Sequence, residues 1–441
     1  MSAVFIFTQN NTMEIESLYQ LFLQSNGVCT DTRTLQSNQL YFALKGDNFN
    51  GNKFALEAFK NGALACVVDE ELGESHDKII RVENALSALQ ELAKHHRLQF
   101  SIPIIVLTGS NGKTTTKELV AAVLEKKYNV HYTKGNFNNH IGIPLTLLQM
   151  QKDTEIAVIE MGANHQREIA AYCEYILPDF GLITNIGKAH LEGFGGEEGV
   201  LKGKTELYQY IGKKGGRIFV NDQCGKLTAK SSEFLQAENI IFYGKKATSF
   251  VNAENIESSS FLQLKYHDLI IKTQLAGGYN FDNVVAAICI GNFFGVKNND
   301  IADALSSYEP TNNRSELKSD GKNTYILDAY NANPSSMIAS LEAFEKPSYN
   351  NKIVIIGEMM ELGEYSEQEH KAIADKVFAM QLEKKIFVGK QFEFLQSNSD
   401  VLFFESTDRL KEWLPSQNFT NKTILLKGSR KNKLESIVLL K

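Results

Sequence analysis

The sequence predicts an α/β chain of three domains, the middle one built on a doubly wound, mostly parallel sheet. Three observations carry that prediction. The 441 residues exceed what a single hydrophobic core usually fills. Short apolar runs alternate with amphipathic helical stretches along the chain. One apolar run leads through a glycine-rich turn straight into a helix, the junction found at the carboxyl ends of strands in such sheets.

In chain order, residues 1–101 combine strand-like Gln39–Leu44, Leu64–Val68 and Lys78–Val82 with the amphipathic helix Ala85–Leu98, a small N-terminal α/β domain. Ser101-Ile102-Pro103 breaks that helix and opens a central domain, residues 102–308. There the strand Ile104–Leu107 is followed by a helix over Lys117–Lys126, strands at Ile156–Glu160 and Phe180–Thr184, and a helix over Gly199–Tyr210. A helix over Ala302–Glu309 gives way to Pro310-Thr311-Asn312-Asn313. Beyond it, strands at Thr324–Asp328, Lys352–Ile356, Lys385–Val388 and Thr423–Leu426 alternate with helices in a third domain, residues 309–441. No internal repeat or heptad pattern interrupts this order.

Composition narrows the function classes. A hydrophobic content of 43% argues against disorder, and a net charge of -6 gives no general reason to bind nucleic acid or an anionic membrane. An anionic substrate needs a locally basic site. Cys29, Cys66, Cys173, Cys224 and Cys289 are scattered and never spaced Cys-x-x-Cys, which fits reduced, buried thiols rather than disulfides or a zinc site. Met1–Asn10 has neither a basic leader nor a small-residue cleavage site, and no apolar run reaches the roughly 18 residues a membrane span needs. The expectation is a cytoplasmic monomer acting on small molecules, with no nucleic-acid partner and no membrane insertion.

The chemistry begins at Thr108-Gly109-Ser110-Asn111-Gly112-Lys113-Thr114-Thr115. Lying between a buried strand and a helix start, this segment can cradle a polyphosphate with backbone N–H groups and the helix dipole. Lys113 would reach the β- and γ-phosphates of ATP, and the Thr114 hydroxyl would ligate Mg²⁺. The common Gly-x-x-x-x-Gly-Lys spacing needs glycine at position 107, where this chain has Leu107. The loop is a shorter variant.

Further residues gather at strand ends. Glu160 closes the apolar strand Ile156–Glu160, a position suited to a Mg²⁺ ligand. His190 follows the next strand in Asn185-Ile186-Gly187-Lys188-Ala189-His190; a lone loop histidine is more often a surface group, but its company favours a site. Lys204 lies fourteen residues later, after Lys202. It reads as a solvated helical face, as a cation for phosphates or, if carbamylated, as a carboxylate-like ligand. Asn280 and Asn283 could merely cap a helix. Asp328-Ala329-Tyr330-Asn331-Ala332-Asn333-Pro334 crowds polar groups between a strand and a Pro-initiated helix, more like a site than a turn. These residues imply ATP and Mg²⁺ and leave kinase, ATPase and ligase open.

Thr108–Thr116, Gly135-Asn136-Phe137-Asn138-Asn139-His140-Ile141-Gly142-Ile143-Pro144, Glu160-Met161-Gly162-Ala163-Asn164-His165 and His190-Leu191-Glu192 together resemble the Mur ligase family, in order and spacing along nearly the whole chain. Gly357-Glu358-Met359-Met360-Glu361-Leu362-Gly363 and Lys427-Gly428-Ser429-Arg430 are most similar to the branch that adds D-alanyl-D-alanine, and the Asp-Asn-Pro-Arg motif of the neighbouring branch is missing. The resemblance implies a Rossmann-like C-terminal domain and an ATP-dependent peptide ligase joining that dipeptide to UDP-N-acetylmuramoyl-tripeptide. It implies Mg²⁺ held by Thr114 and Glu160, a second metal at His190, and Lys204 as the carbamylated lysine. ATP contacts would come from Gly109, Ser110, Asn111, Gly112, Lys113, Thr114, Thr115, Asn283, Arg314, Asp328 and Tyr330. Thr32, Arg33 and Gly46, with Asn136 and Asn139, would hold the UDP substrate; Asn164, His165, Ser429 and Arg430 would orient the dipeptide. Thr32 stands where most relatives have serine. The segment Asp31–Asp47 argues against the rival reading as a folylpolyglutamate-type synthase, and intact Lys113, Thr114, Glu160, His190 and Lys204 argue against a regulator that only binds ATP.

Overall fold

A computed structural model describes residues 14–73, 77–256, 261–310, 314–346 and 349–438. The expected break at Thr311–Asn313 and the leader region Met1–Asn10 lie outside the described residues. Contacts group the chain into two compact units, one made of the chain up to Val106 with Asn129–Gly162 and Ala170–Asp179, the other of Leu107–Tyr128, Ala163–Ile169 and the chain from Phe180 onward.

The first unit contains a parallel four-stranded sheet in the order Val28–Cys29, Leu40–Phe42, Ala65–Val68, Ile79–Arg81. Its core is the buried set Tyr41, Ala43, Ala55, Ala58, Ala63, Cys66 and Val68. The helix Ala85–Arg97 starts where Asn84 accepts a hydrogen bond from the Ser87 amide at 2.8 Å, an N-cap. A two-stranded hairpin, Lys45–Gly46 with Phe49–Asn50, projects the Gly46-Asp47 turn into solvent. The same unit pairs Val130–Tyr132 with Ile156–Glu160 in parallel.

In the second unit Phe180–Ile183, Arg217–Asn221, Ile240–Gly244 and Val251–Asn252 lie side by side, all parallel. Strand Ile104–Thr108 begins in the first unit and ends in the second; all five of its residues are buried, as the unbroken apolar run requires. The helix after it runs Lys113–Leu124, starting four residues before the expected Lys117. The β-branched run Thr114–Thr116 disguises its first turn, which is nevertheless closed by the Thr116 amide donating to Gly112 at 2.8 Å. The expected helix at 199–210 is longer, Glu197–Lys214, and stops at Gly215 in the left-handed region (φ +70°). The helix expected over Ala302–Glu309 is shifted to Asn298–Ser307.

Two features go beyond the sequence reading. Glu254–Ile256, Phe261–Tyr266 and Leu269–Ala276 form an antiparallel sheet in the second unit. A buried helix, Phe281–Phe293, packs beside the Lys113–Leu124 helix. The C-terminal sheet runs Glu316–Ser319, Thr324–Leu327, Thr423–Lys427, Lys352–Gly357, Lys384–Val388, Leu402–Phe404, with only the first strand antiparallel. Leu327, Ile353, Ile355, Ile386, Val388, Ile424 and Leu426 fill its core. All five cysteines are free. Among the described residues no helix is long and apolar enough to cross a membrane.

Candidate active site

The phosphate loop depends on two glycines. Gly109 has φ +145°, and a Cβ there would collide with the Thr184 hydroxyl; Gly112 has φ +77° and forms the helix N-cap. The loop is strapped to the segment that follows the next strand. The Ser110 amide donates to Asn185 O (3.0 Å), the Asn111 amide to Asn185 Oδ1 (3.0 Å), and the Thr184 hydroxyl to Asn111 O (2.6 Å). Ser110 Oγ donates to Gly187 O (3.0 Å) and accepts from the Gly187 amide (2.9 Å). Two amides expected to face phosphate are therefore turned toward Asn185. The first helical turn, Lys113 to Thr115, opens the helix at its N-terminal end, where backbone N–H groups and the helix dipole favour an anion. Lys113 Nζ donates to Gly109 O (2.7 Å) and Ser110 O (3.3 Å), so it arches back over the loop where phosphate oxygens would compete for it. The Thr114 side chain is buried at the same helix start.

Lys204 is not the solvated residue that one reading allowed. It is fully buried and its Nζ donates to Ala163 O at 3.1 Å. Burial first, and the charge of Lys113 second, push its pKa well below the ordinary lysine value. A lowered pKa enlarges the share of neutral amine, the form that can react with CO₂ to give a carbamate. His190 sits in the left-handed region (φ +53°) with Nδ1 against the Glu361 carboxylate. That contact holds the Glu361 carboxyl below its usual pKa.

Asn283 does not cap its helix. Its Oδ1 accepts from Thr116 Oγ1 (3.1 Å) and its Nδ2 donates to Asn280 Oδ1 (3.0 Å). Asn280 in turn donates to Ala276 O (2.9 Å) and Ser315 Oγ (3.2 Å), beside Arg314. The Arg314 guanidinium lies 3.6 Å from the Tyr330 ring centre and that of Arg430 lies 5.4 Å from it. Asp328 pairs with the buried Lys427 at 2.6 Å. Ser429 is buried, its amide donating to Glu358 O (3.1 Å) and its Oγ accepting from Asn432 Nδ2 (2.8 Å). Asn164 and His165 are exposed, and both amides donate to Glu168 Oε2, at 2.7 and 3.1 Å.

Further residues tie the C-terminal strands to the phosphate loop within the second unit. Asn333 Nδ2 donates to Asn111 Oδ1 (2.7 Å) while Asn333 also forms a capping box with Ser336 for the helix Pro334–Glu345. The Lys188 amide donates to Ser335 Oγ (2.8 Å), and Lys188 Nζ pairs with Glu369 (2.5 Å). The polar crowding before Pro334 signalled this region, but a partner more than 200 residues away leaves no local trace.

In the first unit Glu160 is buried, with Oε1 accepting from Asn138 Nδ2 (2.7 Å) and its amide donating to Thr133 Oγ1 (3.0 Å). Asn139 Oδ1 accepts from the Ile141 and Gly142 amides, at 3.1 and 2.8 Å, just ahead of the helix Gly142–Leu147. Asn136 and Gly46 are exposed and Thr32 is half-buried. Arg33 is exposed and paired with Asp31 at 2.6 Å; the Arg33 hydrogen bond holds the Asp31 carboxyl down at about 2.

Among the described residues no three His, Cys, Asp or Glu side chains gather as a metal cluster. Thr114 in the second unit carries a hydroxyl and Glu160 in the first a buried carboxylate, each a hard oxygen of the kind Mg²⁺ takes together with phosphate. They fit that ion better than a transition metal.

Three family models match the chain: the Mur ligase family catalytic domain over residues 24–97, the Mur ligase middle domain over 107–291 and the Mur ligase glutamate ligase domain over 313–430. The UDP-N-acetylmuramoyl-tripeptide–D-alanyl-D-alanine ligase of Bacillus subtilis is 35% identical, over 94% of this chain and 92% of that protein. The crystal structure of MurF from Acinetobacter baumannii superposes with a TM-score of 0.85 at 27% identity, covering 96% of this chain and 97% of that one. MurF ligase from Thermotoga maritima in complex with ADP superposes with a TM-score of 0.82 at 26% identity, covering 95% and 97%.

Proposed function

The chain belongs to the Mur ligase family, and from that premise we infer that it joins D-alanyl-D-alanine to UDP-N-acetylmuramoyl-tripeptide, consuming ATP with Mg²⁺, in peptidoglycan precursor synthesis. The observation that carries this reading is the phosphate loop, held by Thr184–Gly187 and bonded through Asn111 to Asn333, in a chain that matches relatives of that activity over nearly its whole length.

A carboxylate does not condense with an amine at neutral pH, so it is first made a better acyl donor. The terminal carboxylate of the UDP-linked tripeptide attacks the γ-phosphorus. An O–P bond forms, the bond to the β-phosphate oxygen breaks, and ADP leaves. The free amine of D-alanyl-D-alanine then attacks the acyl carbon, a C–N bond forms, the amine loses a proton, and inorganic phosphate departs with the C–O bond electrons. Lys113 and the first-turn amides hold the phosphates in line, which is chiefly positioning and charge stabilisation. Mg²⁺, when bound, neutralises charge on the phosphates; Thr114 and Glu160 are the residues that would hold it, with His190 beside a second ion.

Lys204, buried and with its pKa pushed down, serves as the carbamylated lysine. Gly109–Thr115, Asn283, Arg314, Asp328 and Tyr330 take the nucleotide, the Arg314–Tyr330 stack supporting that assignment. Thr32, Arg33, Gly46, Asn136 and Asn139 take the UDP substrate; Arg33 is exposed, and its present partner Asp31 is a carboxylate that a pyrophosphate can replace. Asn164, His165, Ser429 and Arg430 orient the dipeptide, Arg430 as the exposed cation and Ser429 as part of the frame that places it. The three-domain division 1–101, 102–308 and 309–441 accords with this assignment of substrates, as does a monomer working in the cytoplasm, where ATP is available. Release of ADP by the purified enzyme, with ATP, UDP-N-acetylmuramoyl-tripeptide and D-alanyl-D-alanine omitted in turn, tests the reading. Full turnover requires all three. Undiminished ADP release without the UDP-tripeptide excludes the acyl-phosphate route.

A further inference from the structure

The loop Gly357–Gly363 leaves the end of strand Lys352–Gly357 and is fixed from three sides. The Glu358 amide donates to Val388 O (3.0 Å), and Glu358 O accepts from the Ser429 amide (3.1 Å) and Asn432 Nδ2 (2.9 Å). The Met359 amide donates to Nε2 of His370 at 3.0 Å, and the His370 ring is completely buried. A nitrogen that accepts from an amide carries no hydrogen, so the His370 proton is on Nδ1, which donates to Ser366 O at 2.7 Å. Met359 and Leu362 are buried on either side of the loop's centre.

The loop's product is Glu361, held in the left-handed region at φ +62°. A glutamate pays for that conformation in strain, which persists only where its surroundings over-determine it. Its carboxylate meets Nδ1 of His190, itself left-handed, and its carbonyl accepts from the Glu192 amide at 3.4 Å. Two non-glycine residues in an unfavourable backbone region thus meet side chain to side chain.

We propose that Glu361 is a positioning residue that fixes the tautomer and orientation of the His190 ring, and that His370 is the buried anchor of the loop presenting it. A carboxylate on Nδ1 keeps the ring proton there and leaves the Nε2 lone pair as the free face of the imidazole. Because Glu361 comes from the C-terminal sheet, His190 is set for reaction only when that sheet is docked on the phosphate-loop segment. The inference rests on the reading of His190 as part of the reacting centre.

Nitrogen-15 histidine NMR of the full-length enzyme, with His190 assigned from His190→Ala, reads the tautomer directly. The expected wild-type signature is Nδ1–H. Glu361→Ala, at a half-exposed side chain, shifts His190 toward the Nε2–H form usual in solution and lowers kcat roughly tenfold or more, with KM for ATP within about twofold. Glu361→Gln, which keeps an acceptor, recovers part of both. His370→Leu gives the same His190 shift from a distance, and His370→Gln, whose Oε1 can accept from the Met359 amide, reverses it. If His370→Leu does not fold, Glu361→Ala and His370→Gln decide. An unchanged His190 tautomer in Glu361→Ala overturns the proposal, as does unchanged kcat there. Wild-type turnover of His190→Ala would instead remove the catalytic reading of His190, while the tautomer result would still decide whether Glu361 positions the ring.

Discussion

Replacing Lys204 with methionine removes a buried amine without emptying its volume, and the consequence has a calculable pH dependence. The amine donates to Ala163 O at 3.1 Å and has Lys113 as its adverse charge. Burial and that charge lower its folded pKa well below the unfolded value, which is about 10.4. Between those two values the unfolded chain holds a proton that the folded chain has released. Stability therefore rises with pH across this window, and it is lost as pH falls toward the folded pKa. With one proton at stake the slope is at most about 1.4 kcal/mol per pH unit, a tenfold change in the opening equilibrium. A chain of several domains does not unfold in one step, so local opening is the right observable. Amide exchange in the helix Glu197–Lys214, in CO₂-free buffer between pH 7 and 9 and corrected for intrinsic rates, should give a wild-type to Lys204→Met protection ratio that climbs by up to about tenfold per unit. The variant should also be the better protected of the two at pH 7. A ratio independent of pH would mean that Lys204 carries the same charge folded and unfolded, and the argument for a neutral, carbamate-forming amine would fall. Added bicarbonate should raise the activity of CO₂-depleted wild-type enzyme and leave Lys204→Met unchanged.

Asn138 orients the Glu160 carboxylate at 2.7 Å, so Asn138→Ala should raise the Mg²⁺ concentration for half-maximal activity by about ten- to a hundredfold; titration with Mg²⁺ at saturating ATP checks this, and an unchanged midpoint would detach Glu160 from the ion. Asn333 caps the helix Pro334–Glu345 and also bonds to Asn111. Asn333→Ala should lower the opening free energy of that helix by about 1 kcal/mol and raise KM for ATP, whereas Asn333→Asp, which keeps the cap acceptor but not the amide donor, should restore the helix and not the KM. Exchange protection and initial rates separate the two effects.

The strands of this fold were legible because burial on both faces writes itself as an apolar run: Ile156–Glu160 was located to the residue, and Phe180–Ile183 and Lys384–Val388 each to within one. The start of the helix at Lys113 was hidden because threonine favours strand and cap geometry, and here a left-handed glycine rather than a capping side chain begins the helix. The antiparallel sheet was readable in part: Leu262, Leu264 and Tyr266 are buried and alternate with Gln263 and Lys265, a period of two. The site divides in the same way. Lys113, Thr114, Glu160 and His190 stand at strand ends, where topology places ligands. That Lys204 is buried rather than solvated was not legible, because the helix carries it among charged neighbours, Lys202 and Glu206, and only the approach of Ala163 and Phe194 shows which face is covered.

The missing glycine at position 107 has a structural counterpart. A longer phosphate loop wraps its ligand with its own backbone; this one is short, and Leu107 is wholly buried in the strand instead. Its shape is imposed from outside: Asn185 accepts from the Ser110 and Asn111 amides, Thr184 donates to the Asn111 carbonyl, and Gly187 bonds the Ser110 hydroxyl. The strap continues through Lys188 to Ser335 and Glu369, and Asn111 itself bonds to Asn333. A loop shaped by its neighbours transmits any shift of those neighbours to the phosphates it holds. Moving the C-terminal sheet therefore acts on the nucleotide end of the site through Asn111 and on His190 through Glu361, so one docking event sets both. Kinetically, variants of Asn333 and Glu361 should be non-additive, because each disturbs the same docked arrangement: the double variant should lose less than the product of the single losses. Strict multiplicativity would show two independent contacts and no shared docking step.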